Sequence, residues 1–142
     1  MSQEKLFRLD EANALLPQIE LLMEKMQRLG IKIREEVESL ARERQAQTLA
    51  ALSTRELLHR KPALRQLFEE MAHAVQEIEQ FGCHFKGLEL GLVDFPSEID
   101  GEVVELCWQY GEKEIAFYHT RTEGFAGRRP LHPQQQKPRY YH

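Results

Sequence analysis

The feature that most restricts the fold is a change of period at Gly82: apolar residues recur at helical steps before it and at alternate positions after it. Upstream, Leu15, Ile19, Leu22, Met26, Leu29 and Ile33 follow steps of four and three, and Val37 and Leu40 continue after a slip of one residue. That spacing predicts a coiled-coil-like seam on one stripe of a helix, with Glu20, Glu24, Lys25, Arg28, Lys32, Arg34, Glu35 and Glu38 on the wet face. Asp10 and Glu11 suit a first turn, where carboxylates meet exposed N–H groups and the positive end of the dipole, so the helix is expected to begin near Leu9. Pro17 lacks an N–H and crowds the preceding turn, which predicts either a kink or a handover to a second helix starting there. A second seam, Leu64, Phe68, Met71, Val75 and Ile78, predicts a helix over 62–81 that stops at Gly82. Between the seams, Ser53-Thr54-Arg55-Glu56 has the form of a capping box and puts the reversal near Ser53, with a short helix before Pro62. Two antiparallel seams joined this way make a helical hairpin.

Downstream, Asp100-Gly101 is a hairpin turn signal that pairs Ile99 with Glu102, Val93 with Trp108 and Phe95 with Leu106. A two-residue loop at Gly111-Glu112 would pair Trp108 with Ile115, Leu106 with Phe117 and Val104 with His119. With both turns set, one face of a three-stranded meander carries Val93, Phe95, Val104, Leu106, Trp108, Ile115 and Phe117, and the other carries Asp94, Glu105, Cys107, Ala116 and Tyr118. The expected fold is α+β, a long antiparallel helical hairpin packed on the apolar face of a small antiparallel meander. It forms a single domain over 1–131, with the hairpin at about 9–81, the meander at about 91–119 and a Gly/Arg loop at 120–131. Residues 132–142, rich in Gln and Pro, read as a loosely held tail.

The chain has 142 residues with 42% hydrophobic and 30% charged, enough for one core without a metal or disulfide staple. A net charge of −4 with interspersed signs argues against nucleic acid as a partner. No run of eighteen apolar residues and no apolar stretch near Met1 argue against a membrane span or export. Cys83 and Cys107 stand too far apart for a metal knuckle or disulfide framework, which fits a reducing cytoplasm. A first helix from Pro17 towards Leu52 would reach roughly 50 Å and the second only about 30 Å, at 1.5 Å per residue. The overhang carries Ile31, Ile33, Val37, Leu40, Leu49 and Leu52, so self-association through the helices is expected unless segment 53–61 covers it.

His119 is the first candidate for chemistry, as a neutral imidazole ligand or as a general acid or base at the rim of the core. Asp94, Glu112 and Cys107 are the residue types that would join it around a divalent metal. Regular pairing separates them: Asp94 faces Cys107, both away from His119, and Glu112 lies in a turn, so only a bulge near Pro96 or a neighbouring chain would unite the set. Arg128 and Arg121, with Gly124 and Gly127 between, form a candidate collar for a small anionic ligand. Set against that is an ordered return loop whose arginines pair with Glu102, Glu105 or Glu123. No G-x-S-x-G, H-E-x-x-H or G-x-G-x-x-G occurs. The expectation is therefore an oligomeric binding or interaction module with an anion or metal site near His119 and Arg128. The alternative is a small enzyme in which His119 moves a proton and Arg128 holds an anionic substrate.

Glu11-Ala12-Asn13-Ala14-Leu15-Leu16-Pro17, Gly91-Leu92-Val93-Asp94-Phe95-Pro96, Leu106-Cys107-Trp108, Gly111-Glu112, His119 and Gly124-Phe125-Ala126-Gly127-Arg128 stand in an order that resembles the bacterial family known as domain of unknown function 2203. The resemblance covers most of the chain outside 41–61 and the tail, and it implies a small bacterial cytosolic protein without assigning an activity. Arg8 stands where a Ser or Thr cap is expected and Tyr118 where Trp is expected, two departures at the helix start and beside His119.

Overall fold

The computed structural model describes residues 4–44, 55 and 61–132. Among the described residues, helices α1 (Leu9–Arg44) and α2 (Pro62–Gln80) precede five strands: β1 (His84–Phe85), β2 (Leu92–Ile99), β3 (Glu102–Gln109), β4 (Phe117–Thr120) and β5 (Arg129–Pro130). The strands form one antiparallel sheet in the order β1-β2-β3-β4-β5, so the molecule is α+β. Arg55 is helical; the reversal near Ser53, the short helix before Pro62 and the tail beyond His132 lie outside the described residues. No helix among the described residues is long and apolar enough to cross a membrane.

At the start of α1, Glu11 Oε1 accepts the Arg8 N–H at 2.9 Å, the half of a capping box that needs no Ser or Thr at the cap. The helix runs unbroken through Pro17, so the handover to a second helix does not occur. The buried stripe is Ala12, Leu16, Ile19, Met23, Met26 and Leu29, and Leu15 and Leu22, expected at its centre, pack on its flank. The seam is thus turned by one residue, which steps of three and four alone do not resolve. Leu64, Ala74 and Ile78 are the buried residues of α2. One cluster joins α1, Ala74 and Ile78 of α2, and Val93, Phe95, Val104, Leu106, Trp108 and Ile115. Leu40, expected in an exposed overhang, is buried, and Lys61 Nζ meets Glu36 at 3.5 Å across the two helical segments.

The β2–β3 register is the expected one, from Ile99 opposite Glu102 to Val93 opposite Trp108. Asp100 (φ 51°) and Gly101 (φ 81°) both turn left-handed, as a two-residue type I′ loop requires. Pro96 sits beyond the end of β1, where its missing N–H leaves no rung unmet, and its carbonyl accepts the Phe7 N–H at 2.7 Å.

The β3–β4 register differs by one residue from the expected one: Leu106 faces Tyr118 rather than Phe117, and His119 faces Glu105 rather than Val104. The cause lies between the strands. The turn closes one residue early, with Glu112 N–H on the Gln109 carbonyl at 2.9 Å and Gly111 at φ 105°, and the residues after it leave the ladder, so that Phe117 and not Glu114 comes to face Cys107. Glu112 then ties the turn down, its Oε1 accepting the Gln109 N–H at 2.7 Å and its carbonyl accepting Trp108 Nε1–H at 2.9 Å. Ile115 is not a rung of the sheet; its N–H is held by Asn13 Oδ1 of α1 at 2.8 Å. Because side chains alternate with period two, this one-residue shift moves Phe117 and His119 to the polar face and gives Tyr118 to the helix-side core. The segment after β4 is ordered: a 3-10 turn at Phe125–Gly127 leads into β5, and Leu131, buried, bonds the Ala116 carbonyl at 2.9 Å.

Candidate functional site

The polar face of the sheet now carries Asp94 from β2, Cys107 and Glu105 from β3, and Phe117 and His119 from β4. Asp94, Cys107 and His119 are buried, at 4%, 0% and 3% exposure, and their potential ligand atoms all lie within 4.8 Å of one another. A bulge near Pro96, one of the two ways the sequence left to unite them, is not what does so, since β2 and β3 pair without interruption through Pro96 and Glu105. The β3–β4 connection does so instead.

His119 is held at both nitrogens. Nδ1 lies 2.7 Å from the Thr120 carbonyl oxygen and Nε2 lies 3.1 Å from Asp94 Oδ2. A carbonyl only accepts, so Nδ1 carries a proton, and Nε2 donates to the carboxylate only where the ring carries a second one. Two acceptors face each other there unless a second proton or a cation lies between them. Nearby, Cys107 has its thiol pushed up to about 11, first by burial and then by the Asp94 charge, with Arg128 working the other way. In the metal-free site it is a thiol and not a nucleophile.

Arg128 reaches this cluster from the returning segment. Its Nη1 is 3.8 Å from Cys107 Sγ, its Nη2 pairs with Glu112 Oε2, and its guanidinium stacks 3.9 Å from the centre of the Phe117 ring and 4.9 Å from that of Phe125. Burial works against the charge on Arg128, but the Glu112 and Cys107 contacts outweigh it and hold the proton more firmly than usual. Glu112 is therefore the partner of Arg128, apart from the cluster of ligand atoms and not solvated as a plain turn residue would be.

Beside the cluster opens a cavity of about 270 Å³ lined by Asp94, Glu105, His119, Arg121, Gly124 and Phe125 among others. Arg121 spans Glu105 Oε2 (2.8 Å from its Nε) and Glu4 Oε2 (2.5 Å from its Nη2), and Arg129 pairs with Glu123 at 2.5 Å. Two of the expected loop pairings, those to Glu105 and Glu123, thus form, and Arg128 takes Glu112. Gly127 packs on the Glu123 side chain, which a Cβ would meet at 2.6 Å, and is not among the cavity residues. Glu105, only 8% exposed, has its carboxyl pushed up by burial, with Arg121 lowering it and Asp94 raising it further, and its Oε1 has no hydrogen-bond partner among the described residues. Sequence reasoning put Glu105 on the Asp94 face and offered it as an arginine partner, but not as part of the site. Its parity with Cys107 was the available signal.

Residues 5–131 match the model of a family described as an uncharacterized conserved protein, DUF2203. No curated protein and no solved structure matches the chain.

Proposed function

The chain belongs to the DUF2203 family, and we propose that this member binds one divalent transition-metal ion through Asp94 Oδ, Cys107 Sγ and His119 Nε2. The observation that carries the reading is the Thr120 carbonyl on Nδ1, which fixes the tautomer that leaves Nε2 available, the usual outer-shell arrangement of a metal-bound histidine. Ligand bonds of about 2.0–2.3 Å at tetrahedral angles put ligand atoms roughly 3.3–3.8 Å apart, so a set within 4.8 Å needs only a small side-chain closure. One oxygen, one nitrogen and one sulfur suit a borderline ion, zinc best. Two of the three ligands bind as anions and offset the double charge of the ion, and Arg128 supports the thiolate. Three protein ligands leave a position open toward the cavity, the pattern of sites that bind a further molecule.

On this reading Arg128 is a supporting group, because its fork is already engaged by Glu112 and Cys107, and His119 is a ligand in preference to a proton carrier, because its Nδ1 is tied to the Thr120 carbonyl and its Nε2 is turned to the buried Asp94 and Cys107. Protein purified without affinity tag or chelator is expected to carry, or to take up, close to one equivalent of zinc by elemental analysis, and Cys107→Ser or His119→Ala to lose it. Wild-type protein that neither carries nor takes up metal would overturn the proposal. Self-association through α1 is a separate reading, favoured by Leu21 and Ile31, which stay 68% and 53% exposed on that helix. Light scattering tests it, and a monomer at every concentration contradicts it.

A further inference from the structure

The cavity beside the ligand set contains a buried acceptor with nothing to accept. Glu105 is held on one side only: Arg121 Nε takes Oε2 at 2.8 Å, while Oε1 is buried with no partner among the described residues. A buried polar atom left unpaired is destabilising, so such an atom on a residue that lines a cavity is a candidate contact for a ligand donor. Glu105 stands opposite His119 in the sheet and shares the cavity with His119 and Asp94. An occupant of the open metal position would therefore meet the Glu105 side chain in the wall of the cavity. The charges around the cavity do not call for an anion: Lys86 and Arg121, the latter shared by Glu4 and Glu105, stand against Asp94 and Glu105, so the side chains of the wall balance. Leu92 and Phe125 add apolar surface.

We infer that Glu105 Oε1 accepts a hydrogen bond from the molecule that occupies the cavity, so that the site selects small ligands carrying an N–H or O–H next to their metal-binding oxygen, of which hydroxamic acids are the chemical type. The inference rests on the metal reading, and it assigns to Glu105 a specificity role that does not involve the metal bonds themselves.

The test is a titration of the cobalt-substituted protein with two probes, acetohydroxamic acid and its N-methyl analogue, which differ in one N–H. Wild-type protein is expected to bind the first about tenfold more tightly, the effect of pairing one buried acceptor. In Glu105→Met the preference should vanish, because the acceptor is gone, and in Glu105→Gln it should persist, because the amide keeps a carbonyl oxygen. A preference equal in wild type and Glu105→Met would reflect the bulk of the methyl group and overturn the inference while the metal reading stands. So would equal binding of the two probes by the wild type, a result that needs no variant. A wild-type protein that shows no sulfur-to-cobalt charge-transfer absorption overturns the metal reading, and this inference falls with it.

Discussion

Cys83 and Cys107 are both completely buried, yet they lie in opposite regions of the molecule and have different surroundings. Cys83 belongs to the cluster that joins the helices to one face of the sheet; its thiol meets the Ile78 carbonyl at 3.2 Å, and it behaves as a small apolar side chain. Cys107 lies on the other face among Asp94, His119 and Arg128. Burial pushes both thiols up, to about 12 for Cys83 and about 11 for Cys107, and the guanidinium beside Cys107 works against that rise. The comparison separates what burial does from what neighbours do. Burial alone makes an inert thiol, whereas a carboxylate, an oriented imidazole and a fixed cation together make a place where a thiolate has partners once an ion arrives.

The contrast between the faces can be broken most severely on the helix side. Trp108 is fully buried in the shared core and also donates to the Glu112 carbonyl, so Trp108→Ala should cost about 3–5 kcal/mol of stability, read by denaturant unfolding. Loss of that tie to the turn should in addition loosen the β3–β4 register. A change below about 1 kcal/mol would contradict the packing described.

A smaller effect sharpens the comparison through pH. The Cys83 thiol is raised from 9.0 in the unfolded reference to about 12 in the fold, so the folded state holds that proton more tightly. Its contribution is fully present below pH 9 and is lost as pH rises towards 12, amounting to about 1 kcal/mol by pH 10. Cys83→Ala should remove that part of the alkaline slope, and a slope unchanged in the variant would contradict the assignment.

The gentlest perturbation is Arg128→Lys on the polar face. An ammonium keeps the charge but cannot contact Cys107 and Glu112 at once while lying flat on Phe117. Zinc affinity, measured by competition with a chelating dye, should fall about tenfold, the lower end of what outer-shell changes produce. Unfolding stability of the metal-free variant should barely move, and an unchanged affinity would take Arg128 out of the site.

Much of this was legible in the sequence. The Asp100-Gly101 signal sets β2 against β3 residue by residue, because both positions must be left-handed and few residues permit it, and from there Asp94 opposite Cys107 follows. The second turn was not legible to the same precision. Gly111 tolerates more than one place in a turn, and the one it takes is decided by Glu112 folding back on Gln109 and by Asn13 reaching Ile115 from α1, a contact across 102 positions that no local pattern contains. One residue of register was the difference between a histidine in the core and a histidine beside Asp94. The helical seam was misread by one residue for a similar reason: Leu15 and Leu16, like Leu22 and Met23, are both apolar, and only the position of the sheet selects which faces inward. Arg128 was recognised as important from its type and its place after the glycines, but its partner Glu112 lay in a turn that looked solvated.

The central claim, that Asp94, Cys107 and His119 share one metal ion, is tested most directly by X-ray absorption at the zinc edge on protein loaded with one equivalent. The account predicts a first shell with a single sulfur at about 2.3 Å and nitrogen or oxygen neighbours at about 2.0–2.1 Å, the sulfur disappearing in Cys107→Ser. A first shell of nitrogen and oxygen alone in the wild type, or one unchanged by the substitution, would contradict it.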